Sequence, residues 1–257
     1  MPSHNSSQVV EFGGFKFSRL GVENSSSFLK GFKIENGNAF HLVNAFSLYE
    51  ASKSKKLTEI FHNGTLLCDG RPLSLVLRIT DRRFRQIRGV DLMKNIVGDL
   101  NSLETHFFLG STPKVLKSLL NEISIINPKI QIVGSFSPPF AKDFQSSIFD
   151  WVHRIRESGA TCVWVGLGTP KQDFVANEIA NAIPVKVFAV GAAFDFLAGT
   201  RSEAPKIFKK LYLEWLYRFL NEPKRLFKRY LIGNSFFIML VFKHLFILLR
   251  KGLFRSN

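Results

Sequence analysis

Two carboxylates stand where a chain of this kind could move a proton. Asp69 precedes Gly70 after the apolar run Leu66 to Cys68, and Asp195 lies among apolar neighbours in Gly191-Ala-Ala-Phe-Asp-Phe-Leu-Ala-Gly199. An Asp-Gly pair is also an ordinary turn signal, and Asp195 reads either as a helix cap or as a ligand contact. Small residues close several apolar runs: Gly110-Ser-Thr, Gly134-Ser, Gly166-Leu-Gly168-Thr-Pro170-Lys171-Gln172 and Gly191-Ala-Ala, with Asn44 closing another. Glycine lets backbone amides approach a phosphate, and a helix start adds partial positive charge. Each glycine alone reads as a common strand-to-helix turn, yet the same pattern at four strand ends points to a nucleotide-like ligand. None of them forms G-x-G-x-x-G or a P-loop. The chain contains no D-x-D, so a metal clamp on a nucleoside diphosphate is not supported, and cations would have to take its place. Arg201, Arg218, Arg225, Lys228 and Arg229 are the candidates, with a solvated or lipid-facing basic surface as the other reading.

Other chemistries lack their residues. The six histidines, His4, His41, His62, His106, His153 and His244, never form H-x-x-x-H, and no G-x-S-x-G elbow occurs. Cys68 and Cys162 are too few for a disulfide framework or a four-thiolate zinc site, and Cys162 falls inside an apolar run where a thiol packs rather than reacts. No metal and no cofactor is expected.

These residues need a frame. Ala39 to Val43, Thr105 to Leu109, Ile130 to Val133, Thr161 to Val165 and Val185 to Val190 read as buried strands. Phe46 to Lys55, Asp91 to Leu100, Pro113 to Ser124, Asp143 to Glu157 and Lys171 to Asn181 read as helices between them. Such alternation predicts an α/β fold, a Rossmann-like, mainly parallel sheet with helices on both faces and its ligand beyond the carboxyl ends of the strands. Residues 1–37, rich in Ser, Gly and Asn, read as an irregular arm, 38–200 as the α/β catalytic domain, and 201–257 as a helical appendage.

The 257 residues carry 35 Lys and Arg against 20 Asp and Glu, a net of +15, with 46% hydrophobic residues and 27 Phe. That excludes a disordered or low-complexity chain. Residues 201–257 hold thirteen of the cations against Glu203, Glu214 and Glu222, so the appendage expects an anionic partner. Most Phe lies in apolar runs rather than on a stacking platform, which disfavours nucleic acid. The stretch from Lys206 to Ile232 reads as a basic, aromatic helical pair broken near Pro223. The apolar stretch 236–249 that follows is short of the roughly 20 residues that span a bilayer. A helix lying in the interface of an anionic membrane fits this pattern, and a buried core helix is the alternative. The first residues lack the features of a secretory signal, so the expected place is the cytoplasm.

The stretches V-G-L-G-T-P-K-Q-D at Val165 to Asp173, V-G-A-A-F-D-F-L-A-G at Val190 to Gly199, A-P-K at Ala204 to Lys206 and L-E-W-L-Y-R-F-L-N-E-P-K-R at Leu213 to Arg225 resemble the WecG/TagA/CpsF family of bacterial glycosyltransferases, from about Asn38 to Tyr230. The resemblance implies metal-independent, inverting transfer from a UDP-sugar to a polyprenyl-diphosphate-linked saccharide, in cell-surface polysaccharide biosynthesis at the cytoplasmic face of the bacterial inner membrane. It places the catalytic base on Asp69, the donor sugar near Asn44, and the diphosphate on Arg218 and Arg225 with Lys228 or Arg229. Pro170, Lys171 and Gln172 match the family's P-K-Q turn, where Gln172 either bonds uracil or sugar or caps a helix. A homo-oligomer is possible for such a chain.

The sequence departs from the family pattern at Leu42, where many relatives carry Thr, at Pro138-Pro139-Phe140, at Glu203 in place of an Arg, and at Arg71. These positions border donor or acceptor, so N-acetylmannosamine, glucose and a uronic acid all stay open as the sugar. Two other readings compete: a non-enzymatic basic protein that binds membrane or nucleic acid, and a catalytically inactive relative.

Overall fold

The computed structural model describes residues 9–20, 36–139, 145–205, 207–208 and 214–250; for residues 145, 146, 214, 218, 225, 228 and 229 it describes the helical backbone alone. Eight strands form one sheet: β1 (Val9–Phe12), β2 (Phe15–Ser18), β3 (Asn38–Val43), β4 (Thr65–Cys68), β5 (Thr105–Gly110), β6 (Gln131–Phe136), β7 (Cys162–Gly166) and β8 (Lys186–Ala189). Their order is β1-β2-β4-β3-β8-β7-β5-β6, antiparallel between β1 and β2 and parallel elsewhere. β4 lies on one side of β3 and every later strand on the other, so connections diverge above the middle of the sheet, where α/β proteins hold their ligands.

Among the described residues the helices include α1 (Ala45–Lys53), α2 (Lys55–Asn63), α3 (Arg71–Thr80), α4 (Gly89–Val97), α5 (Pro113–Ile126), α6 (Gln145–Glu157), α7 (Lys171–Ala182), the short α8 (Ala193–Leu197), α9 (Glu214–Asn221) and α10 (Pro223–Arg250). Asn44 starts α1 with a capping box, its Oδ1 accepting from the amides of Phe46 (3.0 Å) and Ser47 (3.2 Å). Thr112 and Pro113 start α5 in the same economical way, with Thr112 Oγ1 accepting from Val115.

The parallel strands bury both faces, which is why they read as continuous apolar runs. On one face Phe40, Phe188, Trp164 and Phe108 sit side by side in register on β3, β8, β7 and β5. Their rings stack at 4.6 Å (Phe40–Phe188) and 4.7 Å (Trp164–Phe188) under α4, α5 and α8. The opposite face is lined by smaller residues, Val163, Val165, Val187 and Ala189, which let α6 and α7 pack close. This row of rings absorbs part of the high Phe content.

Two expectations are corrected here. The arm expected to be irregular contains the β1–β2 hairpin, whose Val10, Phe12, Phe15 and Phe17 are buried under α2, α3 and α10; residues 1–8 and 21–35 lie outside the described residues. The apolar C-terminal stretch is not an isolated short helix. Helix α10 runs unbroken through Gly233 and Asn234, giving a 21-residue stretch, Tyr230–Arg250, of mean hydropathy 1.9, long and apolar enough to cross a membrane by length and composition. One side of it nevertheless packs on the domain: Phe237 is buried against Phe12, and a Cβ on Gly233 would meet Phe46 Cα at 3.4 Å. The outer side leaves Ile238, Met239, Phe242, Phe246 and Leu249 more than half exposed.

Candidate active site

The sheet's carboxyl edge gathers Asp69, Gly70, Asn44, Gly191 and a residue the sequence did not single out, Arg88. Asp69 leaves β4 with its N–H donating to the Val43 carbonyl (2.8 Å), and the next amide but seventeen, Ile87, donates to the Cys68 carbonyl (2.8 Å). These two bonds hold the end of β4 between β3 and the segment that enters α4. Gly70 has φ +99°, a conformation that glycine adopts without strain, and a Cβ there would touch Asn44 Cβ at 3.4 Å. Asn44 is therefore next to the Asp69-Gly70 turn. Its Oδ1 is engaged in the α1 cap, and its amide NH2 is the donor left for a ligand.

A cleft is lined by Asp69, Arg88, Gly89, Val90, Val190, Ala192, Ala193 and Phe196. Past Phe196 a larger recess of about 340 Å³ opens between Thr200, Arg201, Ser202 and the α9 residues Tyr217 and Asn221. Helix α4 starts at the cleft and α3 starts two residues after Asp69, and neither has a side-chain cap on its first amides. Uncapped amides and the aligned peptide dipoles favour an anion at that point. Gly89 permits the arrangement, since a Cβ there would lie 3.0 Å from the Val190 carbonyl oxygen and 3.3 Å from Leu42 Cδ2. Leu42 is thus buried beneath the cleft floor.

Arg88 forms one wall. Its guanidinium donates to Asp91 (3.3 Å) and to Glu203 (3.1 Å), so these two acids hold a cationic wall of the cleft in place. Arg201 pairs with Glu222 (3.0 Å) and packs over the Phe196 ring. Asp195 occupies the first turn of α8, and its backbone carbonyl accepts from Arg201 N–H and Thr200 Oγ1 (both 3.1 Å). Arg218, Arg225, Lys228 and Arg229 fall on α9 and α10, and their side chains lie outside the described residues, as does Phe140.

The P-K-Q turn plays a supporting part. Gln172 is buried, its Oε1 accepting from Gly168 N–H (3.0 Å) and its Nε2 donating to the Ala189 carbonyl (3.3 Å) and Thr169 Oγ1 (3.4 Å). A Cβ on Gly191 would press on Gln172 Oε1 at 3.1 Å. Both ends of the amide bond within the protein, so Gln172 ties the Gly168 turn to the end of β8 beside the Gly191 loop. Pro170 and Lys171 open α7, with Lys171 Nζ 5.8 Å over the Trp151 ring. Behind them His41 on β3 meets Asp173 on α7 (Nδ1 to Oδ1, 2.9 Å), both buried. That contact joins the strand bearing Asn44 to the helix bearing Gln172.

Two of the glycines have packing reasons of their own. Gly134 lies inside β6 rather than after it, and a Cβ there would strike the Phe107 ring at 2.6 Å. Gly110, at φ +129°, ends β5 against the backbone of Gly166, where a Cβ would meet the carbonyl oxygen at 2.6 Å. Both glycines serve strand packing. Among the described residues no three His, Cys, Asp or Glu gather as a metal would need.

The model of the glycosyl transferase WecG/TagA/CpsF family matches residues 10–251, nearly the whole chain, and the chain belongs to that family.

Proposed function

We propose that this member of the family is a metal-independent, inverting hexosyltransferase that moves a sugar from a UDP donor to a polyprenyl-diphosphate-linked saccharide, with Asp69 as its base. N-acetylmannosamine, glucose and a uronic acid are the candidate sugars. The observation that carries the reading is one cleft lined by a partly exposed acid, Asp69, by Arg88 and by the uncapped start of α4 at Gly89, with the uncapped start of α3 two residues after Asp69 in the chain. Inversion in a single displacement needs a base to take the acceptor hydroxyl's proton while the new C–O bond forms at the anomeric carbon and UDP leaves from the opposite face. The leaving diphosphate gains charge as its bond breaks, and helix starts with cations stabilise it where no metal does so. The proton ends on Asp69, the sugar on the acceptor, and the electron pair on UDP.

The outer face of α10 supports a place at the cytoplasmic surface of the bacterial inner membrane, where such an acceptor is anchored and where this chain contributes to a cell-surface polysaccharide. A helix with one face on its own domain and an apolar opposite face fits a position in the interface, with the domain held against the bilayer.

The test is transfer from a panel of UDP-sugars to a lipid-linked acceptor in the presence of a chelator. One donor should be used, and Asp69→Asn should lower the rate roughly 10²-fold or more while leaving the melting temperature unchanged. An Asp69→Asn rate equal to the parent's would remove Asp69 as the base, and turnover that needs an added divalent ion would remove metal independence.

A further inference from the structure

The segment joining α3 to α4 carries a charge pattern that the cleft does not use. Residues 78–85 hold four arginines and one aspartate. Arg78, Arg82, Arg83 and Arg85 are exposed, the Arg83 side chain at 76%. The segment is built rather than loose: Asp81 pairs with Arg19 and with Arg83 (3.2 Å), Arg85 donates to the Arg82 and Phe84 carbonyls, and the Phe84 ring is fully buried. Beside the arginines, Leu75 and Ile79 on the outer side of α3 are 47% and 49% exposed.

This cationic and apolar patch adjoins α10. Thr80 Oγ1 is 3.2 Å from His244 Nε2, which fixes the end of α3 to the part of α10 that exposes Phe242, Lys243, Phe246 and Ile247. The Thr80–His244 contact thus places exposed Ile79, one residue away, and the arginines that follow it near the exposed apolar residues of α10. An anionic bilayer matches that composition, since headgroup phosphates accept from guanidinium groups while aliphatic side chains enter the acyl boundary. Nucleic acid matches it less well, because the segment's own ring is buried and offers no face for a base.

We propose that the α3–α4 segment is a second membrane contact, in which Arg78, Arg82, Arg83 and Arg85 bind anionic lipid headgroups beside the apolar face of α10. The proposal rests on the reading of α10 as lying in the interface. Its consequence for transfer follows from the chain path: three residues after Arg85 comes Arg88, which lines the cleft, and Ile87 is bonded to Cys68 next to Asp69. One short segment thus touches the membrane at one end and forms the cleft wall at the other, so an acceptor diphosphate at headgroup level arrives beside the base.

The experiment compares the full chain with Arg78→Gln/Arg82→Gln, two exposed positions outside the cleft, by partition onto vesicles of phosphatidylcholine alone or with one third phosphatidylglycerol. The parent should favour the anionic vesicles and lose that preference in high salt, and the double variant should partition about 30-fold more weakly at equal melting temperature. Its transfer to a short water-soluble acceptor should equal the parent's, while transfer to vesicle-borne acceptor falls. Equal partition of variant and parent, or indifference of the parent to lipid charge, would overturn the proposal. So would arginine-dependent binding of an RNA duplex without vesicle preference. A parent that partitions as stated yet transfers no sugar would remove the transferase reading and leave the membrane contact standing.

Discussion

The two edges of one sheet place their charged groups differently, buried at one and lining a cleft at the other. At the amino edge of β5, β7 and β8, Lys186 is buried and bonded to Glu104, Glu104 also accepts from Thr161 Oγ1 (2.6 Å), and Trp164 Nε1 donates to His106 Nδ1 (3.2 Å). These groups answer one another within the protein. At the carboxyl edge, Asp69 and Arg88 line a cleft and two helices begin without side-chain caps. Arg88 too is held within the protein, by Asp91 and Glu203, so the contrast is between charge buried among partners and charge that lines a cleft, and charge alone does not mark a site.

The largest expected effect on stability is at the amino edge. Lys186→Ala would leave the half-buried Glu104 carboxylate without its cation and should cost about 3 kcal/mol, read by chemical denaturation, with donor affinity unchanged in the folded fraction. A cost below about 0.5 kcal/mol would mean that this edge is no more structural than a surface pair.

Acid should act on the same edge with a somewhat smaller effect. Burial pushes His106 down to about 4, and as acceptor from Trp164 its Nδ1 is unprotonated. Burial would raise Glu104, but the bonds from Lys186 and Thr161 and the lysine charge outweigh it and hold the carboxyl below 4.5. For His106 the unfolded chain takes up a proton below 6.5 and the folded chain does not until about 4. For Glu104 the folded form stays ionised below 4.5, where the unfolded form protonates. Both make the unfolded state bind more protons, so stability should fall as pH drops from 6.5 toward 4, by up to ~3 kcal/mol for the histidine. Stability that is flat from pH 7 to 4.5 would contradict this.

Gln172→Ala sharpens the comparison from the other side. It removes the tie between the Gly168 turn, Thr169 and Ala189, and should cost about 2 kcal/mol while also weakening donor binding, because the Gly191 loop bordering the cleft loses its support. A stability loss with unaltered donor binding would make Gln172 purely structural. The smallest effect is Asn44→Ala, about 1 kcal/mol for the lost α1 cap, detected as a shift in denaturation midpoint.

Much of this was legible in the sequence. The five expected strands are present, because buried parallel strands are apolar throughout and glycine or asparagine marks their ends. β4 read only as a short run, since four residues carry little pattern, yet it is the strand that delivers Asp69. Helices α2 and α3 went unread in the stretch between β3 and β5. Asp69 and Asn44 were found as strand-end residues. Arg88 was not, because its partner Glu203 is 115 residues away and nothing local distinguishes it from the arginines before it. Gly134 misled because a glycine that admits the Phe107 ring looks, in sequence, like one that cradles a phosphate.

The most direct test is protection against thermal unfolding by UDP-sugars, in chelator, for the parent, for Arg88→Ala at the carboxyl edge and for Glu104→Gln at the amino edge. A ligand that binds the folded chain raises its melting temperature. One UDP-sugar should protect the parent and Glu104→Gln alike, and Arg88→Ala much less. Protection lost in Glu104→Gln and kept in Arg88→Ala, or absent from the parent with every UDP-sugar, would contradict the assignment of the cleft at Asp69 as the donor site.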